Sequence, residues 1–177
     1  PERYRGVFPQ GAQPIHQCVG YTDHALRKFF AYAKQQDWFE NTLFVLTADH
    51  TNQVTLPAYA TGKGLFEVPI AFYSPRWNCG EVRTETAVSQ TDIMPSVLAY
   101  LGYSKPFFAF GEDILMKQKS HPWAICYNHP VYQLLSDSLL VQFDGKQVCA
   151  VYDYEKDPLL RKNIAGEVNV EDEARYL

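Results

Sequence analysis

The chain has 177 residues, enough for one domain with a sizeable core, and 46% of them are apolar, which excludes an intrinsically disordered chain. Sixteen basic against twenty acidic residues leave a net charge of −4, so nucleic acid is not an expected partner and an anionic ligand would need a local source of positive charge. No apolar run is long enough to span a membrane and no signal peptide is present; the chain starts at Pro1, which we read as a cut from a longer protein.

Residues 1–13 carry Pro1, Gly6, Pro9 and Gly11 and read as an irregular arm. From Pro14, apolar residues recur at helical intervals (Ile15, Cys18, Val19, Leu26, Phe29, Phe30, Ala33), which predicts a helix to about Gln36 with Pro14 at its first position. Asp23 and Arg27 are spaced to pair across one turn, and His16 and His24 read as surface residues without a functional role, His24 solvated on the polar side. The continuous apolar run Thr42-Leu43-Phe44-Val45-Leu46-Thr47-Ala48 reads as a strand buried on both faces of a largely parallel sheet. It ends in Asp49-His50-Thr51-Asn52, and the carboxyl ends of such strands are where open α/β sheets place their chemistry.

Residues 52–67 form a loop in which Lys63, between Gly62 and Gly64, is a candidate contact for an anionic substrate; a solvated turn lysine is the plainer alternative. Val68 to Tyr73 reads as a second buried strand, with Pro69 near its start. After a loop at 75–88, Ser89 or Thr91 caps a short helix from Asp92 to Leu101, stopped by Gly102. Asp92 is read as capping or orienting that helix. Segments 123–128, 131–136, 138–143 and 147–152 then read as short antiparallel strands, with Asp144-Gly145 as a hairpin turn. The tail from Asp157-Pro158 is expected to end in a short helix. Cys18, Cys79, Cys126 and Cys149 lack zinc-site spacing and read as buried free thiols. His121 and His129 flank the strand 123–128 without forming a credible ligand pair.

Asp49 and His50 are the sharpest feature. Carboxylate and imidazole both ligate zinc or manganese, and neighbours in sequence can converge on one ion where a strand gives way to a loop. The bland alternative is that Asp49 caps the following turn while His50 bonds locally.

Several segments, in order, resemble the sulfatase and alkaline-phosphatase superfamily. Tyr21 to Phe30 is similar to its "Y-x-D-x-x-L-x-x-F-F" helix, and Asn41 to His50 to its "N-T-x-x-x-x-T-(A/S)-D-H" strand. Val68-Pro69 resembles its "V-P" strand, and Gln90 to Gly102 its "Q-x-D-I-x-P-T-L-L-x-x-x-G" helix. Asp144-Gly145-Lys146 and Asp153 to Pro158 resemble its terminal hairpin and "D-P-x-E" tract. Thr51 departs from the Gly usual in the arylsulfatase branch, and the strand looks closest to lipoteichoic acid synthase-like phosphoglycerol transferases.

The resemblance implies an alkaline phosphatase-like α/β fold, with a partial parallel sheet and flanking helices in residues 1–120. Residues 121–177 would form a small antiparallel β subdomain. It implies that Asp49 and His50 bind a divalent ion (manganese, zinc, magnesium or calcium). The whole protein would act on a sulfate or phosphate ester outside the cytoplasm, anchored to the membrane by an upstream segment. The family nucleophile lies upstream as well, so this stretch alone is expected to be inactive. A non-catalytic binding or structural module on the same scaffold is the alternative.

Overall fold

A computed structural model describes residues 2–77, 87–115 and 123–170. The expectations for Cys79, for His121, for the boundary near residue 120 and for the last residues of the tail fall outside them. The chain divides into two compact units: Pro1–Val45 with Ala71–Gly80, and Leu46–Ile70 with Glu81–Leu177.

In the first unit, helix α1 (Ile15–Ala33) follows Pro14, and Arg27 donates to Asp23 at 2.9 Å as its spacing predicts. The expected apolar stripe is only partly used: Ala33 is fully buried, but Val19, Leu26 and Phe29 are exposed. The helix instead packs the arm through Tyr21 and His24. Tyr4 stands 5.2 Å from Tyr21 and 5.6 Å from His24, and Phe8 stands 5.7 Å from His24, ring to ring. His24 is therefore half-buried against aromatic rings rather than solvated. His16 accepts the Ala12 amide at 3.1 Å, a purely local role.

Strand β1 (Phe44–Thr47) pairs with β2 (Ile70–Tyr73) in a two-stranded sheet. Phe44 gathers the rings of Phe30 (5.1 Å), Phe39 (5.6 Å) and Tyr73 (5.9 Å), the offset aromatic packing that anchors this unit. Neither strand is buried on both faces as expected. β1 is half-buried with Thr47 exposed, and β2 alternates half-buried with exposed. The described residues supply two strands to this sheet, too few to cover both faces.

In the second unit, Ser89 caps a 3-10 turn (Gln90–Asp92) that runs into helix α2 (Ile93–Tyr100). The cap is reciprocal: the Ser89 side chain accepts the Thr91 amide at 3.3 Å, and Asp92 accepts the Ser89 amide at 2.7 Å. Asp92 is fully buried and also accepts the Glu112 amide at 2.8 Å. Ser96 beneath it donates to the Asp92 carbonyl at 2.6 Å and accepts the Ile114 amide at 3.0 Å, so these buried polar atoms are hydrogen-bonded. Gly102 closes the helix in a left-handed conformation, φ 69°.

Strands β3 (Trp123–Asn128), β4 (Val131–Ser136), β5 (Leu139–Phe143) and β6 (Val148–Asp153) form an antiparallel meander in sequence order. Leu134, Val141 and Val151 are fully buried at its centre. The tail completes this core. Ile164, Ala165, Val168 and Val170 pack on it, the Ile164 amide donates to the Val151 carbonyl at 2.8 Å, and the Asn163 side chain accepts the Val151 amide at 3.0 Å. Up to residue 170 the tail forms no helix, because its apolar residues serve the sheet instead. Cys18 and Cys149 are exposed rather than buried, and the Cys149 thiol donates to the Gln142 carbonyl at 3.3 Å. Among the described cysteines Cys126 is partly enclosed, and burial raises its thiol above the ordinary value.

Candidate metal centre

Asp49 and His50 follow β1 directly and lie on the surface, with 86% and 73% of their side chains exposed. The His50 amide donates to Asp49 Oδ1 at 2.9 Å, which turns the carboxylate back toward the imidazole. His50 Nδ1 lies 2.6 Å from the Thr51 carbonyl oxygen. A carbonyl can only accept, so in the neutral ring Nδ1 carries the hydrogen and Nε2 keeps its lone pair. That lone pair faces Asp49 Oδ2 at 3.4 Å.

Two acceptors therefore face each other with no hydrogen between them, an arrangement that favours a positive charge in the gap. Donor atoms about 2.0–2.1 Å from a tetrahedral zinc stand roughly 3.4 Å from each other, so the observed separation suits two ligands of one ion. Fixing the tautomer through Nδ1 is also the usual outer-shell arrangement of a metal-binding histidine. A proton on Nε2 would form an ion pair across the same gap, so proton and metal compete for it. Among the described residues, no group of three or more His, Cys, Asp or Glu side chains comes together to hold a metal. The pair fits a metal as part of a ligand set.

Two contacts that the sequence did not signal hold the tripeptide in place. Gln90 Nε2 donates to the Ala48 carbonyl at 2.5 Å, across 42 residues of chain. Thr51 Oγ1 donates to the Leu65 carbonyl at 2.6 Å. Thr51 was visible as a departure from the family Gly. Gln90 was visible only as part of a helix-start motif, whose local pattern does not say where its side chain reaches.

Lys63 sits at the start of the 3-10 turn Gly64–Phe66. Its ammonium is 2.6 Å from Glu67 and lies 5.6 Å over the Tyr154 ring, so its charge is already matched. The Tyr154 hydroxyl, which donates to the Asp137 carbonyl, is pushed above its ordinary value by burial and by nearby carboxylates. His129 stacks on Tyr127 and takes no part in the centre.

A strand that ends in a carboxylate–imidazole pair, followed by a capped helix and a small antiparallel sheet, defines an alkaline phosphatase-like architecture. Solved structures agree. A protein of the alkaline phosphatase superfamily from Vibrio parahaemolyticus superposes with a TM-score of 0.73 at 19% identity, over 93% of this chain and 38% of its own. BT4656, solved in complex with its substrate D-glucosamine-2-N,6-O-disulfate, superposes with a TM-score of 0.60 at 15% identity, over 92% of this chain and 37% of its own. This chain thus spans well under half the length of either. Residues 1–103 match the family model Sulfatase, and the chain belongs to the sulfatase family.

Proposed function

We propose that the chain is the C-terminal part of a metal-dependent enzyme that acts on sulfate or phosphate esters, with Asp49 and His50 as two ligands of its divalent ion. The observation that carries this reading is the 3.4 Å approach of His50 Nε2 to Asp49 Oδ2 at the end of β1 in a sulfatase-family chain. The remaining ligands and the nucleophile come from the rest of the whole protein. When bound, the ion supplies Lewis-acid polarisation of an ester oxygen. Asp49 contributes negative charge, and His50 ligates through its neutral ring. Lys63 could meet the anionic substrate only by leaving Glu67.

A sulfated sugar is the substrate of BT4656, which supports the sulfate branch. The likeness of Asn41 to His50 to the lipoteichoic acid synthase-like strand supports phosphoglycerol transfer, and with it attachment of the whole protein to a membrane through a segment outside this sequence. No helix among the described residues is long and apolar enough to cross a membrane.

The test is to assay the full-length protein against aryl sulfate and phosphodiester substrates, with Mn²⁺ or Zn²⁺ added or chelated. Asp49→Asn and His50→Ala should each lower turnover at least about 100-fold, since removing even an outer-shell partner costs about 10- to 100-fold. Unchanged turnover in both variants would remove the pair from the site. Absence of turnover on every ester, with the metal bound, would favour a non-catalytic module.

A further inference from the structure

We propose that Gln90 and Thr51 are positioning residues that hold Asp49 and His50 in their ligating arrangement from its two ends; this rests on the metal reading of that pair. Upstream, the only link between the strand end and the ligands is the Ala48–Asp49 peptide, and its carbonyl is held by Gln90 Nε2 at 2.5 Å. Gln90 is itself well placed to act as an anchor. It opens the 3-10 turn whose third residue, Asp92, is fully buried and fixed by the Ser89 and Glu112 amides. The Gln90 side chain thus extends from a rigid helix start, while the segment it holds is an exposed loop.

Downstream, the Thr51 carbonyl takes the His50 Nδ1 hydrogen and so selects which ring nitrogen faces Asp49. That carbonyl can orient the ring only if Thr51 is fixed, and its hydroxyl fixes it by donating to the Leu65 carbonyl at 2.6 Å. A glycine at position 51 would leave this end of the tripeptide free. The two contacts are independent, one reaching the helix start and the other the 3-10 turn Gly64–Phe66. Neither residue needs to touch the ion.

The experiment is a Mn²⁺ titration of the full-length protein, reading free Mn²⁺ by its EPR signal, with Asp49→Asn as the reference for loss of a ligand. Thr51→Val and Gln90→Ala should each raise the Mn²⁺ dissociation constant about tenfold, the low end of what outer-shell partners contribute. Thr51→Ser keeps the donor and should bind within about twofold of the parent, since an outer-shell hydrogen bond depends on the hydroxyl and not on the methyl. Such rescue would not follow from a packing role for the threonine methyl. Parent-like affinity in both Thr51→Val and Gln90→Ala, or a Thr51→Ser as weak as Thr51→Val, overturns the positioning roles while leaving the metal site standing. If Asp49→Asn binds Mn²⁺ like the parent, the metal reading fails and takes this one with it.

Discussion

At the scale of single residues, one well-held charge lies in the hairpin between β5 and β6. Asp144 Oδ1 accepts the Lys146 amide at 2.9 Å and the Gln147 amide at 3.0 Å, while Gly145 turns the chain at φ 95°. These amide donors, Gln147 first, hold the Asp144 carboxyl below its ordinary value. Because the folded value is depressed, the hairpin gains stability from the ionised carboxylate above the unfolded carboxylate range. It loses that gain as pH falls through the lower, folded value. In an NMR titration the Lys146 and Gln147 amide resonances should therefore move with a midpoint below the ordinary aspartate value. Asp144→Asn, which cannot ionise, should leave both flat in the same titration. A midpoint at or above the ordinary carboxylate value would contradict this. The turn was legible in the sequence because Asp-Gly encodes it within two residues. The Asp49-His50 pair stood out for a similar reason: its two residues are adjacent in the chain and follow a strand end.

Among the described elements, local signals placed α1, α2 and β1 to β6, and failed where a side chain's partner lies far along the chain. Gln133 is the clearest case. A polar side chain within β4, it is fully buried. Cross-strand register sets Cys126, Gln133 and Gln142 in one row over three strands. Gln142 Nε2 donates to Gln133 Oε1 at 2.9 Å, and Gln133 Nε2 donates to the Cys126 thiol at 3.4 Å and to the Gly62 carbonyl at 3.1 Å. The row thereby fastens the loop that carries Lys63 to the sheet. A β-carbon at Gly62 would come within 2.3 Å of Gln133 Oε1, so a side chain there must displace the glutamine. Gln133→Leu should cost about 1–3 kcal/mol in urea denaturation, because it leaves the Gly62 carbonyl and the Gln142 amide group without their partner. Gly62→Ala should also destabilise, by pushing Gln133 aside. The two losses should not add, since both break the same contact. Additive losses would show that Gly62 and Gln133 act separately.

For the molecule as a whole, burial among the described residues is deepest in the C-terminal meander. The run from Thr42 to Ala48 is apolar throughout, and such a run signals cover on both faces. Among the described residues its strand partner is β2, and it is half-buried up to Leu46. The large fully buried apolar side chains are Leu134, Leu140, Val141 and Val151 in the C-terminal meander, whose strands read as short antiparallel segments and whose core is completed by the tail. A two-stranded ribbon is marginal in water, whereas four strands with a covered apolar face can be stable by themselves. Local opening should follow that difference. Amide hydrogen exchange of this chain should be slowest in the paired positions of β4, β5 and β6 around Leu134, Val141 and Val151, and faster in β1 and β2. The Val151 amide is a sharp test, since its acceptor is the Asn163 side chain of the tail and not a neighbouring strand. Asn163→Ala should speed exchange at Val151 and at the Ile164 amide that returns to its carbonyl, and leave β3 nearly unchanged. If β1 and β2 outlasted the meander, the stability of the chain would reside in its aromatic unit around Phe44, and the tail would be dispensable to the fold.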